Sequence, residues 1–229
     1  MPQETKWKKQ EDVEWLKVSD MQIGQGVYGK VYIGRIKFKG QQPARIAVKR
    51  FLEPPTTDSH VASYENVIRK LKASGAQIVK TGFVKHEGEW MQVQPLFGAT
   101  AKGSKLKRLF VDWNYVDPEI NLSDEQKRKS LMGALAKVMD AGYPPMFDAI
   151  GMVTGTTPMF VVHDLDLLAM HERGENHGFT QRREFIRWIR AIAKNSELPL
   201  EKVKEELIGE VKDTEVIATL KKIDATKNY

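Results

Sequence analysis

Gly24-Gln25-Gly26-Val27-Tyr28-Gly29 sets glycines at the first, third and sixth positions of a short loop. With no Cβ in the way, such a loop lets backbone amides approach phosphate oxygens closely. A dinucleotide site would need strand, loop, then helix. Here Val31, Tyr32 and Ile33 favour a strand after the loop. A second candidate is Asp164-Leu165-Asp166, which closes the apolar run Phe160–His163. Paired acids at a strand end are suitable ligands for Mg²⁺, which prefers carboxylate oxygens and bridging phosphates. The same pair can equally cap the segment that follows. A third is the run Thr180–Lys194, where Arg183, Arg187, Arg190 and Lys194 share one helix face and Arg182 extends it. That stripe can dock nucleic-acid phosphates or an acidic protein, or serve as a solvated face. A second basic run holds Lys102, Lys105, Lys107 and Arg108. His171, Glu172, Glu175 and His177 match no standard metal spacing and read as a polar loop.

These groups need a frame. Residues 1–18 are polar and read as an arm or a docking strand. Two strands are expected between Val27 and Ile36 and a third at Arg45–Phe51, around a turn at Phe38–Pro43. A breaker at Glu53–Ser59 precedes a helix at about Val61–Ala73, ending at Gly75. Ile78–Val84 and Trp90–Leu96 read as two more strands, and Gly98–Ser104 as a hinge. Beyond it, Ser123-Asp124-Glu125-Gln126 has the form of a capping box, with Ser123 as the cap, and Gly142 stops the helix. Ile150–Val153 and Met159–His163 form a hairpin around Thr154–Thr157. Helices follow at Thr180–Lys194, Pro199–Val211 and Val216–Ile223.

The chain of 229 residues has 41% hydrophobic and 29% charged residues, which suits a soluble globular protein with a real core. It contains no cysteine, so disulfides, thiolate metal sites and a cysteine nucleophile are excluded. No apolar run is long enough to span a bilayer, and the first residues lack the apolar core of a secretory signal. The expected location is the cytoplasm, with no membrane partner. A net charge of +6 favours anionic partners without choosing among them.

The loop Gly24–Gly29 extended by Val31, followed by Ile46-Ala47-Val48-Lys49, resembles the small lobe of the protein-kinase-like superfamily. The resemblance implies an α+β, bilobal protein-kinase-like fold. Its small lobe would have five strands and one helix, and its large lobe would be reduced and mainly helical. The boundaries would be an N-terminal arm at 1–18, a small lobe at 19–97, a large lobe at 98–195 and a helical tail at 196–229. By the same resemblance, Gly24, Gly26 and Gly29 cover the phosphates of ATP, and Lys49 holds them, paired with Glu65. Asp164 and Asp166 stand where the family binds Mg²⁺.

The second half departs from the family. The motif H-R-D-L-x-x-x-N would fall on Tyr143–Gly151, which has neither His, Arg nor Asn. Counting back from Asp164 puts Met146 at the position of the catalytic Asp. Asp148 is a base if the loop shifts by two residues; otherwise it stands where many family members place a phosphate-contacting lysine, or caps a turn. Two functions follow: an atypical phosphotransferase acting on a non-peptide or unusual protein substrate, or a pseudokinase that binds and scaffolds. A third reading, a nucleic-acid or ribosome-associated protein using the basic helix face, is compatible with either.

Overall fold

The computed structural model describes residues 10–52, 57–96, 106–112, 115–146, 148–154, 159–175, 181–224 and 226. The expected hinge at Gly98–Ser104 and the expected cap Thr180 lie outside them. The chain divides into two compact units, Met1–Ala62 with Val79–Ser104, and Ser63–Ile78 with Lys105–Tyr229.

The first unit is a five-stranded antiparallel sheet. Its strands are β1 (Val13–Gln25), β2 (Gly29–Phe38), β3 (Ala44–Phe51), β4 (Gly82–His86) and β5 (Glu89–Pro95), in the order β1-β2-β3-β5-β4. Residues 13–18, read from the sequence as arm or docking strand, form the first part of β1 and pair with Gly34–Phe38. Side chains alternate between the two faces of a strand. Ile36 and Phe38 on β2, Ile46 and Val48 on β3, and Met91 and Val93 on β5 therefore fall on one face and form a core with Leu16 and Val84. β4 begins at Gly82 rather than at Ile78. Ile78 instead makes a parallel bridge to Val162, and the Gln77 carbonyl accepts from the Val162 amide at 2.8 Å. An apolar run announces burial but does not say which strand it will pair with.

Helix α1 (Asp58–Ala73) carries the chain from the first unit into the second. It starts three residues before the expected point, and Asp58 accepts from the Trp90 indole at 3.1 Å.

The second unit holds three short strands paired in the order β10-β9-β6: β6 (Leu106–Arg108), β9 (Ile150–Val153) and β10 (Met159–Val162). A two-stranded ribbon is formed by β7 (Phe110–Asp112) and β8 (Tyr115–Val116). The helices are α2 (Glu125–Asp140), α3 (Asp166–Glu172), α4 (Gln181–Ser196), α5 (Leu200–Glu210) and α6 (Thr214–Lys221). The α2 cap is Asp124 and not Ser123: its carboxylate accepts from the amides of Gln126 and Lys127 at 2.9 and 3.1 Å. Either residue suits the position, and a charged acceptor at a helix N-terminus gains more from the dipole. Gly142 ends the helix as expected, with φ +85 and its amide on the Met139 carbonyl at 2.8 Å. Leu131, Leu135, Val138 and Met139 of α2 and Phe185, Trp188, Ile189 and Ile192 of α4 are buried, and both helices pack on α5. Arg128 is buried there, neutralised by Glu206 of α5 at 2.9 Å. Among the described residues, no helix is long and apolar enough to cross a membrane.

Candidate functional site

In the first unit the glycine loop joins two paired strands. The Gly26 amide donates to the Gly29 carbonyl at 2.8 Å and closes a tight turn, with Val27 exposed at its tip. Gly24 pairs with Val31, and Val31 pairs with Lys49, so the three form a row across β1, β2 and β3. A Cβ on Gly29 would stand 2.7 Å from the Arg50 carbonyl oxygen and 2.9 Å from Lys49 Cε. Glycine is required there because the Lys49 stem and the β3 backbone occupy the space. Nothing stands within 4 Å of a Cβ built on Gly26, which leaves that part of the loop open to a ligand. The Lys49 ammonium lies 5.9 Å from the centre of the Phe51 ring.

Glu65, the expected partner of Lys49, is an exposed residue of the second unit. The reason is helical phase. Val61, Tyr64, Val67 and Leu71 are the buried stripe of α1. Glu65 follows Tyr64 by one residue, about 100° around the axis. Tyr64 is thus the residue that α1 turns inward, and its hydroxyl donates to the Asp166 carboxylate at 3.2 Å. Burial, and then the Asp166 charge, push the Tyr64 hydroxyl far above its ordinary pKa.

Asp166 is the first residue of α3 and is buried. Its amide donates to the Asp164 carboxylate at 3.1 Å, so Asp164 holds the start of that helix. The two aspartates therefore carry different loads, one caught by Tyr64 and one by backbone. Among the described residues, no group of three His, Cys, Asp or Glu side chains is placed to hold a metal.

The polar stretch after Asp166 is helical up to Glu172, and Glu172 is a hub. It accepts from the Tyr143 hydroxyl at 2.6 Å, from Lys70 at 2.9 Å and from the Asn66 amide. Burial raises the Glu172 pKa, but the hydrogen bonds from Tyr143 and Lys70 outweigh it and hold the carboxyl below its ordinary range. Arg173 donates to Ser63 at 3.1 Å and pairs with Glu175 at 2.5 Å. Together these contacts tie α3 to the second-unit part of α1.

The segment standing in for the catalytic loop is apolar. Tyr143, Pro144, Pro145 and Met146 are buried, and the Trp188 indole donates to the Pro145 carbonyl at 2.6 Å. Asp148 is exposed. Glu184 of α4 is fully buried and pairs with Arg187 at 2.8 Å through one oxygen. Its other oxygen has no hydrogen-bond partner. Burial, helped by the Asp148 charge, raises the Glu184 pKa. The basic stripe of α4 is split: Arg183 and Lys194 are exposed, whereas Arg187 and Arg190 are half-buried. In the other basic run, Lys107 is ion-paired with Glu119.

No family model matches the chain, and no curated protein matches it. Among solved structures it is similar to a chain of the complex of Neurospora crassa PAN2 (WD40-CS1) with PAN3 (pseudokinase and C-term). The TM-score is 0.47 and the identity 12%. The match covers 96% of this chain and 58% of that chain, so this chain spans little more than half of its length.

Proposed function

We propose that the protein is a kinase-like module that binds a nucleotide without transferring its phosphate, a pseudokinase serving as a scaffold. The strand–loop–strand of Gly24–Gly29 and its cross-strand row to Lys49 support the nucleotide half of this reading. Gly26 offers open backbone and Lys49 a cation, which is what a polyphosphate needs. Four of the proposed contacts, Gly24, Gly26, Gly29 and Lys49, lie in one unit.

The observation that carries the non-catalytic half is the capture of Asp166 by Tyr64. A carboxylate buried against a tyrosine is a poor Mg²⁺ ligand, since the ion demands near-octahedral oxygen donors and keeps several waters. We therefore propose that the Asp164–Asp166 pair holds no Mg²⁺, Asp166 being taken by Tyr64 and Asp164 by the Asp166 amide. Buried Met146 stands where a base is needed, which also argues against transfer.

Melting with and without ATP, paired with a measurement of ADP formation, tests this. ATP raises the melting temperature of the wild type, Lys49→Ala loses that rise, and ADP forms no faster than in buffer. Turnover that depends on Asp164 and Asp148 would establish the atypical phosphotransferase instead. No shift with any nucleotide would remove the nucleotide reading altogether.

A further inference from the structure

Nucleotide binding leaves the cation-bearing face of the five-stranded sheet unexplained. Directly opposed residues of an antiparallel pair project to the same face. Lys17 is opposite Arg35, and Arg35 is opposite Arg45. Three cations thus stand side by side across three adjacent strands, and all three are exposed. Among the described residues, neither Arg35 nor Arg45 makes a side-chain ion pair or hydrogen bond. Lys17 lies 5.5 Å from the centre of the Trp15 ring. Trp15 is opposite Lys37, whose charge is met by Glu14 at 2.8 Å. Trp15, Lys37 and the turn Gly40–Pro43 line an open depression of about 520 Å³.

Like charges directly opposed across strands destabilise a sheet. This row is therefore a cost to folding that an anionic ligand would remove. Strands are about 4.8 Å apart, so the row covers roughly 10 Å, the reach of a polyanion rather than of one phosphate. Arg45 and Lys49 are four residues apart on β3, about 13 Å by strand rise, so the row is separate from the glycine-loop site. The chemistry beside the row decides the class of polyanion. The half-buried indole beside the cations favours a nucleobase, whose flat π-face stacks on it, over an acidic side chain, which has none.

We propose that this face binds single-stranded nucleic acid, with phosphates on Lys17, Arg35 and Arg45 and a base stacked on Trp15. The proposal does not depend on the kinase-like reading.

Fluorescence anisotropy with a labelled single-stranded RNA of about 15 nucleotides, titrated with the full chain at several salt concentrations, tests it. Arg35→Ser with Arg45→Ser lowers affinity at least about tenfold and reduces the log–log salt slope by about 1.4, two contacts at roughly 0.7 each. Trp15→Ala weakens binding by about tenfold, and Trp15→Phe restores most of it. Arg35→Glu, flanked by Lys17 and Arg45, abolishes binding while raising the melting temperature, which separates lost binding from lost folding. Arg183→Glu with Lys194→Glu on α4 leaves binding intact. Wild type that does not bind, or Arg35→Ser/Arg45→Ser that binds normally, overturns the proposal. So does displacement by polyglutamate together with a Trp15→Ala variant that binds as wild type, which would mark an acidic-protein surface. Loss of binding confined to the α4 variant overturns it as well, by moving the contact to that helix.

Discussion

The Tyr64 hydroxyl donates to the Asp166 carboxylate over 3.2 Å, with both side chains buried, so α1 meets the start of α3 through a tyrosine and an acid. Tyr64→Phe removes a donor from a buried carboxylate. The expected loss is about 1–3 kcal/mol of stability, the cost of leaving a buried polar group short of a partner. Urea unfolding of the variant measures it. An unchanged midpoint would show that the bond contributes nothing.

Glu172 gives a pH signature. Its carboxyl is held below the ordinary range by Tyr143 and Lys70 against the effect of burial. A depressed folded-state pKa adds stability that is present above the unfolded-state value and lost as pH falls through the folded one. Glu172→Gln should therefore cost about 2 kcal/mol at neutral pH, where charged hydrogen bonds are intact. The gap between variant and wild type should close towards pH 2. Urea midpoints across that range test the sign.

Glu184 should behave in the opposite way. Burial raises its pKa, so its contribution favours folding at low pH and is lost as pH rises through the folded-state value. Glu184→Gln removes a buried charge that has one unpartnered oxygen. The variant should gain roughly 1 kcal/mol at pH 8 and nothing near pH 3. A variant less stable than wild type at pH 8 would mean that the Arg187 pair outweighs burial.

Gly26 and Gly29 of the loop should respond differently. Gly29→Ala drives a Cβ to 2.7 Å from the Arg50 carbonyl oxygen and disturbs the β2–β3 ladder. Overpacking of this kind costs about 1–3 kcal/mol. Gly26→Ala meets no atom within 4 Å and should leave the melting temperature nearly unchanged while weakening ATP binding. Thermal melts with and without ATP distinguish the two effects.

In the first unit β3 and β5 were legible as β-rich runs bounded by Gly and Pro turns, but the two strands expected between Val27 and Ile36 are a single strand, β2, and its partner β1 lies upstream and includes residues read as an arm. The motif order that suggested strand–loop–strand was legible for the same reason. What escaped was everything decided by phase or by partner. On α1 the apolar spacing Val61, Tyr64, Val67, Leu71 points Tyr64 inward, but its partner Asp166 lies too far along the chain to be read from it. His171 and Glu172 read as part of a polar loop because α3 is only seven residues long and polar at its end. Its stability comes from Tyr143, Lys70 and Asn66, which are remote in sequence from Glu172. The α4 stripe looked uniform by spacing, yet burial of Glu184 draws Arg187 inward and leaves Arg183 and Lys194 at the surface. β6, β7 and β8 are two or three residues long, too short for periodicity to register.

Nucleotide binding through the glycine loop and Lys49, with no metal held by Asp164 and Asp166, has a direct test. ATP is titrated by calorimetry, once with Mg²⁺ and once with EDTA. Similar affinities in both solutions and loss of binding in Lys49→Ala are the expected result. Affinity that collapses in EDTA and in Asp166→Asn would contradict it.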